Sequence, residues 1–441
     1  MQTCDLIVIG ASQGGQALAL HAARAGQRVI LFERNLQEAA TSASQMIEPL
    51  LSITSLLRKL PALAQAGVTA EHEIDLPKML SHIREHAPLA QPMVEHPNLT
   101  VIGKEASFAG KNVVTDGKEQ YTAPRIVIST GQSPALPEHI QGISETPYLT
   151  AWTLLNISQL PARLAVLGAG RTGVTLAQAM AALGVQVHLL DREDHILPAL
   201  PATLAQPLTQ KLIDDGIELH LGASVTSISY RDKRFTLRCT NDVEVITDAL
   251  LLAIGSQPHT KSLNTRLGTI KLDEQGYVQI TPKLETTVPG VYAIGSCTDQ
   301  PHGQASSWED AQRLIDLWSG GTRYVGDRPR SCWLRTEPHA GSIGLSADEA
   351  ELAGYRIARV EQAVHDNAGD GFIELIIDEP SGKLLGATAV ADGAIEALSA
   401  LSLLMALGRT WRDLLENPMT SGTLLHQFQI MIRRQLLDHS K

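Results

Sequence analysis

The chain has 441 residues, 44% of them hydrophobic and 19% charged, and its net charge at pH 7 is −11. The length suggests about three domains, and the composition excludes a disordered chain. The acidic balance argues against a nucleic-acid-binding surface, which needs clustered positive charge. No apolar run approaches the ~20 residues of a membrane span, and no signal-peptide pattern opens the chain. The four scattered cysteines do not suggest a secreted disulfide framework. We therefore expect a soluble, cytoplasmic protein.

The first predicted unit is a strand, a glycine-rich turn and a helix, followed by a second strand that ends at an acid. The apolar run at 6–9 predicts a buried parallel strand, and residues 28–32 predict the next one. The residues that define this unit are Gly10, Ser12 and Gly15 in the turn and Glu33 after the second strand.

The same order of elements returns later in the chain. Residues 164–167 predict a strand, 174–183 a helix and 185–190 a second strand. The residues that define this second unit are Gly168, Gly170 and Gly173 in the turn and Asp191 after the strand.

Such turns can bind the pyrophosphate of a dinucleotide. Glycines lack a Cβ, so backbone N–H groups and the helix N-terminus can approach the phosphates, and the acid accepts hydrogen bonds from ribose hydroxyls. The second unit, with all three glycines, predicts NADH, because Asp191 would repel a 2′-phosphate. The first, with Ser12 at the middle glycine position, predicts an ADP-containing cofactor. The alternative for each unit is an ordinary strand–helix turn that holds no ligand.

Further predicted elements follow in chain order, and after residue 320 short strands mix with helices in an α+β pattern. They are a Leu-rich helical stretch at 46–66, a loop-rich stretch ending near 114, strands at 125–131, 249–255 and 291–295, a helix at about 304–318, strands at 372–377 and 384–390, and helices at 394–407 and 423–437.

With these motifs the chain resembles the group I pyridine-nucleotide disulfide oxidoreductases, the family of dihydrolipoamide dehydrogenase, glutathione reductase and mercuric reductase. The motifs that carry the resemblance are the two glycine turns, Ser129-Thr130-Gly131, Ala253-Ile254-Gly255, the stretch 287–295, Thr336-Glu337-Pro338, Gly344-Leu345-Ser346 and Leu385-Gly386-Ala387. The resemblance implies an α/β fold with two Rossmann-type dinucleotide-binding domains, the FAD-type interrupted by the NAD-type, and a C-terminal α+β dimerisation domain. The expected boundaries are 1–146 and 261–324 for the FAD-type domain, 147–260 for the NAD(P)H-type domain and 325–441 for the dimerisation domain.

The resemblance also implies cofactors, partners and further site residues. FAD would bind at the first unit and NADH at the second. Thr130, Gly131, Gly295 and Ser296 would border the flavin. The chain would form a homodimer in which the C-terminal domain of one protomer completes the site of the other.

The family's redox-active CxxxxC is missing. The corresponding stretch, 41–49, contains no cysteine, and Ser42 and Ile47 stand at the two thiol positions. Dithiol–disulfide exchange there is excluded, because neither side chain forms a thiolate. The Lys–Glu pair beside the flavin is replaced by Leu51 and Thr175.

Other family positions have changed as well. Arg171 stands where many relatives have an aromatic residue that gates nicotinamide access. The C-terminal His-Pro…Glu pair falls on Asn417-Pro418 and Gly422, and neither replacement can shuttle a proton. The acid that holds the flavin ribityl chain is replaced by Ser296, with Asp299 nearby as a possible substitute.

These losses leave two classes of function. The first is an FAD-dependent NADH oxidoreductase without a redox disulfide, in which reduced flavin passes electrons to a small acceptor such as a quinone. The alternative is a non-catalytic relative that acts as a structural, binding or nucleotide-sensing protein. The sequence assigns no catalytic residue.

Four more residues are of a type that could take part in redox chemistry or metal binding. Cys297 is interpreted as a buried small hydrophobe rather than a redox thiol, because no second cysteine has a CxxC or CxxxxC spacing to it. His82 and His86 have an HxxxH spacing, for which a solvated helix face is the favoured interpretation over a metal site, and no metal is predicted. His302 is equally compatible with a solvent-exposed loop and with a place beside the flavin.

Overall fold

The computed structural model describes residues 1–36, 43–68, 73–86, 95–198, 200, 202–300, 306–322, 329–366 and 369–437. The chain divides into two compact units. The first comprises Met1–Met46, His86–Ala135 and Ser256–Arg328, and the second comprises Ile47–Glu85, Leu136–Gly255 and Pro329–Lys441. None of the helices in the described ranges combines the length and apolar character that crossing a bilayer requires.

A five-stranded parallel sheet forms the centre of the first unit. Its strands lie in the order Val291–Ala293, Arg125–Ile128, Leu6–Ile9, Val29–Phe32 and Leu99–Ile102. The middle strand is buried at every position, as expected for a parallel strand covered on both faces. The neighbouring strands Arg125–Ile128 and Val291–Ala293 are far apart in sequence, so an intervening segment interrupts this unit, as predicted.

Helices and smaller sheets surround that sheet. Helices Gln13–Arg24 and Ser307–Trp318 pack against each other. A four-stranded sheet has the order Gln2–Thr3, Gln120–Thr122, Val113–Thr115 and Ser107–Gly110, and Ser256–Pro258 pairs with Gln132–Pro134.

The second unit contains a parallel sheet of the same kind. Its strands lie in the order Leu149–Thr150, Ala249–Leu252, Arg163–Leu167, Gln186–Leu190 and Glu218–His220. Helix Arg171–Ala182 follows the strand Arg163–Leu167 in the chain, and helix Ala202–Asp214 follows the strand Gln186–Leu190. An antiparallel meander of Val225–Arg231, Arg234–Cys239 and Glu244–Thr247 shares a buried core with the sheet.

The C-terminal part of the second unit is a five-stranded antiparallel sheet with helices. The strand order is Ser331–Leu334, Ala340–Gly344, Leu384–Val390, Gly369–Asp378 and Ile357–Asp366. The helices are Ala347–Leu352, Ala394–Ala406, Trp411–Glu416 and Leu424–Ile432, the last continuing into a π-helical turn at Arg433–Leu437. The α/β class and the α+β character of the C-terminal region are therefore confirmed.

Several elements differ from the sequence prediction. The Leu-rich stretch forms two helices, Ala43–Arg58 and Leu60–Gln65, and a third helix spans Leu76–His86. The stretch predicted as loop-rich contains two short strands. Leu99–Ile102 pairs with the remote strand Val29–Phe32, and Ser107–Gly110 pairs with the nearby strand Val113–Thr115. The predicted domain boundaries stay predictions.

Candidate functional site

The first glycine turn brings a strand, a helix and a neighbouring loop into close backbone contact. Gly10 has a φ of +100°, and a Cβ there would lie 2.4 Å from the carbonyl oxygen of Ser129. A Cβ on Gly15 would lie 2.5 Å from the carbonyl oxygen of Gly10. Both positions therefore require glycine for the fold itself.

Ser12 caps the helix that follows this turn. Its hydroxyl accepts a hydrogen bond from the N–H of Gly15 at 3.2 Å and makes a short hydrogen bond with the Ser129 hydroxyl. The N–H of Gly14 donates to the Ser307 hydroxyl, also at 3.2 Å. Two backbone donors at the helix N-terminus, where a pyrophosphate would bind, thus already face serine oxygens.

Glu33 holds the same turn from the end of the adjacent strand. Its Oε2 accepts a hydrogen bond from the N–H of Ala11 at 2.8 Å, and its Oε1 accepts one from the N–H of Asn35 at 2.9 Å. The carboxylate is half-buried and fixed beside the turn, which is the place the ribose acid of a dinucleotide site requires.

A cavity lies next to the Glu33 carboxylate, and its wall includes Gly10, Arg34, Thr130 and His259. The Nδ1 of His259 donates to the carbonyl oxygen of Thr130 at 3.1 Å, and burial lowers the pKa of this histidine. The position of His259 was not predicted. This histidine lies shortly after Ala253-Ile254-Gly255, in a turn that has no sequence pattern of its own.

The residues predicted to border the flavin come together at the ends of two adjacent parallel strands. Gly131 has a φ of +68° and Gly295 a φ of +74°, and a Cβ on Gly131 would lie 4.0 Å from the Ser296 hydroxyl oxygen. Thr130 is the residue before Gly131, and it faces the buried thiol of Cys297. The four predicted positions therefore form one surface.

A buried carboxylate that the sequence analysis missed supports this surface. Asp310 accepts hydrogen bonds from the N–H of Gly295 at 2.9 Å and from the side-chain amide of Gln300 at 2.8 Å. Asp299, the substitute weighed from the sequence, instead accepts a hydrogen bond from the N–H of Ile280 at 3.2 Å. The sequence offered one signal for this role, because Asp310 is an acid in the first turn of helix Ser307–Trp318, the next helix after Gly295 and Ser296.

The three glycines of the second turn have different structural roles. A Cβ on Gly168, whose φ is +109°, would lie 2.6 Å from the Ala253 carbonyl oxygen, and one on Gly173 would lie 1.7 Å from the Gly168 carbonyl oxygen. A Cβ on Gly170 would meet nothing within 4 Å. The first and third glycines are thus needed for packing, whereas the open space at Gly170 fits the close approach of a pyrophosphate.

Asp191 repeats the arrangement of Glu33. Its Oδ2 accepts a short hydrogen bond from the N–H of Ala169, and its Oδ1 accepts one from the N–H of Glu193 at 3.0 Å. The guanidinium of Arg192 pairs with the Glu193 carboxylate at 3.1 Å. Both units therefore retain the glycine cradle and the fixed acid that a dinucleotide needs, and the residues present fit an ADP-containing cofactor at each.

The cysteines form no redox pair. Burial raises the pKa of Cys4 to about 11, and it also raises the pKa of the other three thiols. All four cysteines are buried and unbonded to one another, namely Cys4, Cys239, Cys297 and Cys332. At the family's thiol positions, Ile47 carries a half-buried hydrocarbon side chain, and Ser42 lies outside the described residues.

The other diverged positions carry no catalytic pair. Leu51 and Thr175 are buried and uncharged. Arg171 is exposed at the start of its helix, beside the thiol of Cys332. Asn417 donates its side-chain amide to the carbonyl oxygen of a residue one turn earlier, at 2.6 Å. Gly422 is exposed, and His82 and His86 are exposed on their helix, whereas His302 lies outside the described residues.

Comparison with known proteins agrees with the two-turn organisation. Residues 4–320 match the family model described as pyridine nucleotide-disulphide oxidoreductase, and residues 332–429 match the dimerisation domain of that family. The mercuric reductase of Shigella flexneri is 30% identical over 435 residues, which cover 93% of this chain and 77% of the relative. The dihydrolipoyl dehydrogenase of Halobacterium salinarum is 24% identical over 449 residues, covering 95% and 94%.

Solved structures share the fold. The HOCl-induced flavoprotein disulfide reductase RclA of Escherichia coli, solved as a Cu(II) complex, superposes with a TM-score of 0.87 at 24% identity, covering 99% of this chain and 100% of that chain. LpdA of Mycobacterium tuberculosis superposes with a TM-score of 0.84 at 20% identity, covering 98% and 99%. Family members are FAD-dependent and use NAD(P)H, and the dimerisation domain supports the expected homodimer. The chain belongs to the pyridine nucleotide-disulphide oxidoreductase family.

Proposed function

We propose that this chain is an FAD-dependent NADH oxidoreductase that works without a redox disulfide and delivers electrons to a small acceptor such as a quinone. One observation carries the proposal. Both glycine turns keep their cradle and their fixed acid, while all four cysteines are buried and unpaired. Nucleotide binding is thus supported at both units without the thiols that would relay electrons to a disulfide substrate.

The first unit would hold FAD. Gly10, Ser12 and Gly15 would contact the pyrophosphate, and Glu33 would accept hydrogen bonds from the adenosine ribose. When bound, FAD supplies the acceptor chemistry for hydride from a nicotinamide. The flavin would lie along the surface formed by Thr130, Gly131, Gly295 and Ser296.

The second unit would hold NADH through Gly168, Gly170, Gly173 and Asp191. The Asp191 carboxylate is oriented by two backbone N–H groups and so keeps its oxygens in a fixed position. A 2′-phosphate would face this negative charge, and Arg192 is already paired with Glu193. Discrimination against NADPH follows from that repulsion.

A second candidate is a relative that binds nucleotide but does not turn over. The observation in its favour is that Leu51 and Thr175 are uncharged at the family's ion-pair positions and that Ser12 occupies a donor of the first turn. Such a protein would sense NADH through a change in stability or in dimer formation.

An anaerobic NADH titration followed by visible absorption distinguishes the two. An enzyme shows flavin bands near ~450 nm that bleach on addition of NADH. A nucleotide sensor shows NADH-dependent thermal stabilisation without bleaching. A protein that stays colourless after incubation with FAD overturns the oxidoreductase proposal, and bleaching by disulfide reductants but not by NADH overturns the assignment of the second unit.

A further inference from the structure

Two histidines and a glutamate lie together at the edge of the second unit's parallel sheet. His188 is on the strand Gln186–Leu190, and Glu218 and His220 are on the edge strand Glu218–His220. The register places His188 opposite Glu218, and side chains two apart on a strand share a face, so the three side chains meet. They are remote in sequence from the HxxxH pair that sequence analysis weighed.

The distances from His188 to the other two candidate ligands match the spacing of ligands around a tetrahedral metal ion. The Nδ1 of His188 lies 3.3 Å from the Nε2 of His220 and 3.2 Å from the Oε2 of Glu218. All three atoms lie within 4.8 Å of one another. Ligands at about 2.0–2.1 Å from a tetrahedral Zn²⁺ are about 3.3 Å apart.

The surroundings of the three side chains suit the same ion. The other oxygen of Glu218 accepts a hydrogen bond from the Gln186 side-chain amide at 3.0 Å, which fixes the carboxylate. The His188 side chain is 12% exposed and that of Glu218 is 51% exposed, so an ion can enter from solvent.

We propose that His188, Glu218 and His220 form a binding site for a divalent transition-metal ion of the Zn²⁺ class, with water as the fourth ligand. Two imidazoles and one carboxylate are a ligand set that Zn²⁺ accepts, and the hard ions Mg²⁺ and Ca²⁺ prefer oxygen ligands alone. The bound ion would join the edge strand to its neighbour. It would replace the hydrogen bonds that the three groups otherwise make with one another.

The test is a titration of chelator-treated, untagged protein with Zn²⁺ alone, followed by calorimetry and by thermal unfolding. We expect one Zn²⁺ per chain and a higher unfolding temperature with Zn²⁺ than with EDTA, because the ion binds the folded state. Absence of binding at Zn²⁺ concentrations up to about 100 μM overturns the proposal, because it would mean a dissociation constant weaker than micromolar.

Variants locate the site. His188→Ala and His220→Ala should each abolish the stoichiometric binding, and Glu218→Gln, an exposed change that leaves the fold intact, should weaken it at least about ten-fold. The double variant His82→Ala/His86→Ala is the matched control and should bind Zn²⁺ as the unchanged protein does. Unfolding temperatures in EDTA identify a variant that is misfolded. Binding that survives the substitutions at 188 and 220, or that disappears in the control, contradicts the assignment.

Discussion

The Glu33 carboxylate accepts a hydrogen bond from the backbone N–H of Ala11, 22 positions earlier in the chain. Asp191 makes the same contact with Ala169, also 22 positions earlier. In each unit the acid that ends the second strand therefore holds the glycine turn that ends the first. The repeat seen in the sequence is therefore also a repeat of this hydrogen bond, which ties the acid proposed to bind a ribose to the backbone that would face the pyrophosphate.

Gly170 and Gly168 should respond differently to a methyl group. Gly170→Ala should leave stability nearly unchanged, because its Cβ meets no protein atom, and should lower NADH affinity about ten-fold or more by obstructing the pyrophosphate. Gly168→Ala should cost about 1–3 kcal/mol, because φ is +109° and the Ala253 carbonyl oxygen lies 2.6 Å away. Denaturant unfolding and NADH titration separate the two effects. Equal loss of stability in both variants would contradict the ligand role of Gly170.

Replacing Ser12 should improve the first turn as a phosphate site. Ser12→Gly removes the side chain that takes the N–H of Gly15, and we expect several-fold tighter FAD binding at a stability cost of a few tenths of a kcal/mol. The measurement is quenching of flavin fluorescence on binding. Ser129→Ala is the control, because it removes the short hydrogen bond but leaves the Ser12 side chain in place. Unchanged FAD binding in the glycine variant would contradict this prediction, and weaker binding would show that the hydroxyl contributes to phosphate binding.

Asp310 should be essential to the surface beside the flavin. Asp310→Ala leaves the N–H of Gly295 and the Gln300 amide without this acceptor, which should cost about 1–3 kcal/mol and lower the flavin content. Thermal unfolding and the flavin-to-protein absorbance ratio measure the two effects. Glu309→Gln, an exposed change in the same helix, should alter stability by less than about 0.5 kcal/mol. Full flavin content in the alanine variant would argue against a supporting role.

The thiols should be unreactive in the folded protein. Burial raises the pKa of Cys4 to about 11, so at pH 8 only about one Cys4 thiol in a thousand is ionised. Alkylation with iodoacetamide should therefore be slow at pH 8 and should accelerate as the pH rises toward 11, whereas in denaturant all four cysteines should react at once. Mass spectrometry of the labelled protein provides the count. Rapid labelling of two thiols near neutral pH would reveal a reactive pair and contradict the disulfide-free proposal.

The sequence by itself determined the two dinucleotide units and the absence of a redox disulfide. Glycine spacing, apolar strands and a terminal acid are local patterns, because the strand–turn–helix geometry depends on neighbouring residues. Missing cysteines are likewise visible without a structure. The confirmed α/β class followed from that repeat, whereas the predicted cofactor residues stay predictions that the geometry supports.

Only the tertiary structure decided which distant groups meet. Asp310 reaches Gly295, His259 reaches Thr130, and His188 joins His220, although no spacing in the sequence links these pairs. The strand Leu99–Ile102 was missed for the same reason, since it acquires its hydrogen bonds from the remote strand Val29–Phe32. Backbone pairing and burial depend on the closed fold, and a local pattern carries no information about which remote residue will complete it.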